Sequence, residues 1–100
     1  MAAYFVFSHE VTDLDKLQDQ YLPRALQTLA PFNPEILVVD PAPEVVEGES
    51  KNTRTVILKF KDKQQARQWY ESADYQSIIH LRLEAVNGGA VLCDAFEPPA

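Results

Sequence analysis

Cysteine is nearly absent: the chain has only Cys93, which excludes an intrachain disulfide and any cysteine-rich metal site. Histidine is scarce as well. His9 and His80 lie far apart, and no His, Asp and Glu set has the local spacing of metal ligands, so neither a metal nor another cofactor is expected. No hydrophobic run is long. Ala2–Phe7, the longest near the start, has no basic residue before it and is far too short for a signal or membrane segment. A cytoplasmic protein without a membrane partner is the expectation. Basic residues are outnumbered, nine to fifteen, giving a net charge of −6 and a poor surface for the phosphate backbone of nucleic acid. There is no glycine-rich phosphate loop, because Asn87-Gly88-Gly89 follows an expected helix instead of opening one.

What is present is an ordinary globular composition, 46% hydrophobic and 24% charged with three glycines, which argues against disorder and low complexity. A length of 100 residues suits one domain with one core, with residues 97–100 as a free C-terminal tail. Charge is uneven: residues 1–50 carry nine acids against Lys16 and Arg24, whereas residues 51–100 carry seven bases against six acids. The one basic cluster, Lys51, Arg54, Lys59, Lys61, Lys63 and Arg67, spans a strand and a helix start and reads as a solvated face.

Tyr4–Val11 is aromatic and β-branched, as strands prefer. Thr12 then stands as a helix N-cap with Asp15 three residues on, and Leu14, Leu17, Tyr21, Ala25 and Leu29 follow at helical spacing. Pro23 inside that pattern predicts a kink or break near residue 22. Glu35–Val39 reads as a second strand, interrupted by Pro41 and Pro43 and resuming at Glu44–Glu47; the prolines confine it to a sheet edge or a bulge. Arg54–Phe60 is the third strand. Asp62 caps a helix with an apolar stripe of Ala66, Trp69, Tyr70 and Ala73, and a break is expected at Ser72–Tyr75. Ile78 to Val86 suggest a further helix ended by Asn87-Gly88-Gly89, and Gly89–Phe96 is the last strand.

The order β-α-β-β-α(α)-β predicts an α+β, ferredoxin-like fold: an antiparallel sheet with helices on one face. Right-handed crossovers would make the first and third strands parallel neighbours with the others outside them. The strands are apolar on both faces; Phe5 and Phe7 oppose Tyr4 and Val6, and Val56 and Leu58 oppose Ile57. Leaving roughly five such side chains in water, at ~2 kcal/mol each, would forfeit on the order of 10 kcal/mol. That matches the whole stability of a typical domain. A second copy of the chain is the simplest cover, so a homodimer is expected.

Val11-Thr12-Asp13, Glu47-Gly48, Arg54–Phe60 and above all Ala66-x-x-Trp69-Tyr70-x-Ser72-x-x-Tyr75 with Arg82 beyond resemble the family called domain of unknown function 1330, from about Tyr4 to Asp94. The resemblance implies a ferredoxin-like dimer of the dimeric α/β-barrel superfamily, a group that includes cofactor-free monooxygenases, isomerases and decarboxylases of small organic molecules. The family itself implies no activity. A Gly-Gly pair usual between the first helix and second strand is replaced here by Phe32-Asn33-Pro34-Glu35, which implies a stiffer loop.

In relatives of this architecture the cavity lies between helices and sheet. Trp69, Tyr70 and Tyr75 have the apolar faces and polar tips that line a small-molecule pocket, or else they pack the core. Arg54 and Arg82 could anchor a carboxylate ligand, or form structural ion pairs, with Glu47 as partner for Arg54. His80, among Ile79 and Leu81, is the better general-base candidate of the two histidines, the alternative being a surface residue. Cys93, in an apolar strand, reads as an inert buried thiol. The expected function is binding of a small organic molecule by a homodimer, with cofactor-independent isomerase or monooxygenase chemistry as its catalytic form. The alternative is a non-catalytic structural or interaction module.

Overall fold

The computed structural model describes residues 1–99. Four strands, β1 (Ala3–Val11), β2 (Glu35–Asp40), β3 (Arg54–Phe60) and β4 (Val86–Asp94), form one sheet in the order β2-β3-β1-β4. The expected order is thus found, with the proline-flanked β2 at an edge and a bulge between Ile36 and Val38. Direction is a correction. β1 pairs antiparallel with both β3 and β4. Each crossover keeps its own two strands parallel, but the β2–β3 connection reverses the chain between them. β1 therefore opposes β3. The anticipated resumption of β2 at Glu44–Glu47 is exposed loop, since nothing pairs beyond Pro43.

The first helical segment starts one residue later than expected: the Asp13 carboxylate accepts from the Lys16 N–H at 3.0 Å, so Asp13 and not Thr12 caps it. Pro23 produces no break. A π-helical stretch (Lys16–Tyr21) runs directly into α1 (Leu22–Leu29), with Pro23 directly after the Leu22 N–H bond to the Leu17 carbonyl, where the hydrogen-bond ladder changes from a spacing of five to one of four. Leu17, Tyr21, Ala25 and Leu29 are all buried. Positions four apart drift by about 40° per step on a regular α-helix. The wider π turns counter that drift and keep all four facing the sheet. Asn33, at φ 46°, takes the left-handed position where a glycine would serve.

Asp62 caps α2 (Lys63–Tyr70) through the Gln65 N–H at 2.8 Å. The expected break falls at Glu71 and Ser72, and a short helix not foreseen, α3 (Ala73–Gln76), starts directly after it because the Ser72 hydroxyl accepts from the Tyr75 N–H. α4 (Ile79–Ala85) ends earlier than its apolar pattern suggested, and Asn87-Gly88-Gly89 lies inside β4, paired with Glu10, His9 and Ser8. Gly88 has φ 116°, and a Cβ there would run into the Ser8 carbonyl oxygen. The glycine allows β4 to close against β1, not the helix to end.

Alternation along β1 shows one covered face: Ala3, Phe5, Phe7 and His9 are buried under the helices. The opposite face carries Val38, Ile57, Val6 and Val91 in register as one aliphatic row across all four strands. Cys93 also lies on that side and is exposed, contrary to the buried thiol expected, because β4 is an edge strand and no element covers it. No helix among the described residues is long and apolar enough to cross a membrane.

Candidate functional site

The helix–sheet layer has two unlike ends. At one, Phe60 and Trp69 stack with centroids 5.7 Å apart, Phe5 meets Trp69 edge-on at 5.6 Å, and the Trp69 Nε1–H donates to Thr28 Oγ1 at 3.0 Å. Trp69 and Tyr75 rings lie 4.2 Å apart, and both residues are essentially sealed from solvent. Toward the other end the packing becomes polar. Tyr21 and Tyr75 hydroxyls are 2.7 Å apart, and Arg82 Nε donates to the Tyr75 hydroxyl at 3.2 Å. Arg82 Nη1 meets His9 Nε2 at 3.1 Å, and its guanidinium lies 5.3 Å over the Phe7 ring.

Local structure explains the convergence. His9 follows Phe5 and Phe7 on the covered face of β1, and Arg54 is its direct partner on β3. Thr53 ties the start of β3 to β1 by donating its N–H to the His9 carbonyl at 2.8 Å. On α4, Arg82 and Ala85 point inward while His80 is exposed. Tyr21 comes from the π-helical stretch.

Charge at this end is one-sided. Arg82 is 3% exposed and Arg54 7%, yet neither has a carboxylate partner among the described residues. The ion pair expected between Glu47 and Arg54 does not form; Glu47 sits in the exposed loop. Burial, then Arg82, then Arg54 push the His9 imidazole down to about 4, so it is neutral at pH 7. A guanidinium can only donate, so Nε2 of that neutral ring accepts from Arg82 and Nδ1 carries the proton. Burial and the neighbouring Tyr75 raise the Tyr21 hydroxyl far above its ordinary value, keeping it protonated.

These groups border a cavity of about 90 Å³ between α1 and the sheet, lined by Leu17, Tyr21, Leu29, Val56, Arg54 and Arg82 among others. Of the residues singled out in the sequence, Arg54, Trp69 and Arg82 line it, and Tyr75 stands behind Tyr21 and Arg82. Tyr70 stacks on Phe5 and borders a separate open groove with Arg67 and Leu92. His80 joins neither. Sequence reasoning missed two members: His9 was ranked below His80, and Tyr21 was counted only as a core position. The every-second-residue phase with Phe5 and Phe7 was the available signal for His9.

A family model described as Domain of unknown function (DUF1330) matches residues 2–96. No curated protein matches the chain. Among solved structures, a protein of unknown function from Rhodopseudomonas palustris, RPA0582, superposes with a TM-score of 0.74 at 8% identity, over 97% of this chain and 83% of that one. SnoaB, a cofactor-independent oxygenase from Streptomyces nogalater, gives 0.67 at 12% identity, over 97% and 95%. The 5-chloro-2-hydroxyhydroquinone dehydrochlorinase from Burkholderia phenoliruptrix AC1100, in complex with 2,5-dihydroxybenzoquinone, gives 0.54 at 13% identity, over 97% and 94%. At these identities the likeness is one of fold.

Proposed function

The chain belongs to the Domain of unknown function (DUF1330) family, and from that premise we propose that it works as a homodimer binding a small organic molecule in the cleft between helices and sheet. One observation carries the reading: an apolar cavity is closed at its inner end by a hydrogen-bonded set of Tyr21, Tyr75, Arg82 and His9. An apolar body with a few convergent polar groups is the usual make-up of a small-molecule site. The chemistry such a set can perform without a cofactor is to polarise or hold an oxygen through Arg82 and Tyr21, with Tyr75 positioning both from behind, while the neutral His9 exchanges a proton. Isomerisation needs no more than that from the protein, and oxygenation of an activated substrate needs in addition dioxygen as the oxidant. By analogy of fold, an oxygenase without a cofactor and a dehydrochlorinase are built on the same scaffold.

Thermal shift against a metabolite library tests the binding. A hit should raise the Tm by linkage, and the gain should vanish in Arg82→Gln. Absence of any hit across a broad library would favour a purely structural role for the cluster.

The homodimer rests on the row Val38, Ile57, Val6 and Val91, with Val91 58% exposed in the single chain. Light scattering at micromolar concentration should give twice 11.3 kDa, and Ile57→Lys should shift the mass toward the monomer. A wild-type monomer would overturn this part of the reading.

A further inference from the structure

We propose that the ligand of this cleft is an amphipathic organic acid, bound with its oxyanion inward against Arg54 and Arg82 and its apolar tail leaving between α1 and β2. The inference rests on the binding role proposed above and names the chemical class.

The inner end of the cavity holds cationic donors without an anion. Arg54, 93% removed from solvent by its 7% exposure, lines the cavity and has neither an ion pair nor a side-chain hydrogen bond among the described residues. Arg82 spends two of a guanidinium's five N–H donors, both on neutral partners. No fully sealed side-chain nitrogen lacks a partner among the described residues. The unbonded Arg54 donors therefore keep contact with the open space of the cavity. Buried charges in proteins are ordinarily paired, because an uncompensated one carries a heavy desolvation cost. Two guanidiniums lie beside a neutral imidazole in a chain whose net charge is −6, with no carboxylate paired to either among the described residues. A planar oxyanion is the group whose geometry answers a guanidinium fork.

The outer end has the opposite character. Leu26, Ile36 and Val39 line the same cavity and are 54%, 52% and 52% exposed, so its rim on α1 and β2 is aliphatic. A cavity of about 90 Å³ is smaller than one that encloses benzene. A ligand of more than a few heavy atoms must then extend over that rim. The two ends together fix both the polarity of the ligand and its direction.

The test compares acetate, hexanoate and octanoate with 1-hexanol and 1-octanol, read by Tm shift and by fluorescence of Trp69, the only tryptophan and a cavity residue. The acids should bind at least tenfold more tightly than the alcohols of equal length. Their affinity should rise by about fourfold per methylene that reaches the rim, from the transfer value of a buried CH₂. Arg54→Met should abolish the preference for acids and raise the Tm of the ligand-free protein by relieving an unpaired buried charge. Should Arg54→Met fail to fold, Arg54→Lys is expected to keep part of the acid preference and Arg54→Gln to lose it. Alcohols binding as well as acids would overturn the ligand class and leave the cleft reading standing. If no acid and no alcohol binds, the ligand class falls, and only an empty result from the broad metabolite library would take the cleft reading with it. A preference for acids that survives Arg54→Gln overturns the placement of the oxyanion.

Discussion

The two ends of the helix–sheet layer share β1 and differ in how completely they are satisfied. Around Phe5, Phe60 and Trp69 every ring meets another ring and the indole N–H has a partner. Two to four residues further along the same strand, Phe7 and His9 face two guanidiniums that no carboxylate among the described residues answers. One end is arranged as a core. The other retains an electrostatic cost that its own residues do not remove, and sites of binding are where folds tolerate such costs. That contrast predicts that substitutions at the two ends have opposite signs or very different sizes.

The largest effect is expected from Trp69→Ala, which removes the ring joining Phe5, Phe60 and Tyr75. Urea unfolding should show a loss of about 3–5 kcal/mol. A loss under 1 kcal/mol would mean that this end is not the core described.

Next comes pH. The unfolded His9 ring titrates near 6.5 and the folded one at about 4. Between those values the unfolded chain holds the extra proton, so stability is full above pH 6.5 and is lost as pH falls toward 4. Integrated over the window the loss is up to roughly 3 kcal/mol, at about 1.4 kcal/mol per pH unit. Subtracting the profile of His9→Gln isolates it from the titration of surface carboxylates, and identical profiles would show that burial and the two arginines do not hold the ring neutral.

A smaller effect, about 1 kcal/mol, is expected for Tyr21→Phe, since Tyr75 keeps its bond from Arg82 when the Tyr21 hydroxyl is removed. The smallest, and the one of opposite sign, is Arg54→Met without ligand: a gain of about 1 kcal/mol, in the direction seen when buried charge is replaced by apolar volume. A clear destabilisation would place Arg54 with the core.

Much of the fold was legible because its signals are local and repeated. Aromatic and β-branched runs, the Asp62 cap and the prolines beside β2 led to the right element and strand order, with β2 at the edge. The antiparallel pairing of β1 with β3 was misread because handedness was applied to each crossover without counting the reversal between β2 and β3. Gly88 was misplaced for a different reason: a left-handed residue after a helix and a glycine at a close strand approach look alike in one dimension.

The site was half legible. Arg54, Trp69, Tyr75 and Arg82 stood out by type, but type does not separate His9 from His80. Phase does: position 9 shares the parity of Phe5 and Phe7, and position 80 lies off the face that carries Arg82 and Ala85. Tyr21 depended on the π-helical turns, for which the sequence offered only Pro23 and a spacing of four. The absence of a carboxylate partner for Arg54 among the described residues is a three-dimensional fact, since Glu47 is near in sequence and forms no ion pair with it.

The central claim, that the polar end of the cleft is completed by an anion, is tested most directly by NMR titration of the His9 ring with and without saturating octanoate. Without it the imidazole should titrate at about 4. Burial, the larger cause, remains on binding, but with the carboxylate against Arg54 and Arg82 the positive field on the ring is reduced and the midpoint should rise. An unchanged midpoint in protein shown to be saturated would contradict the account.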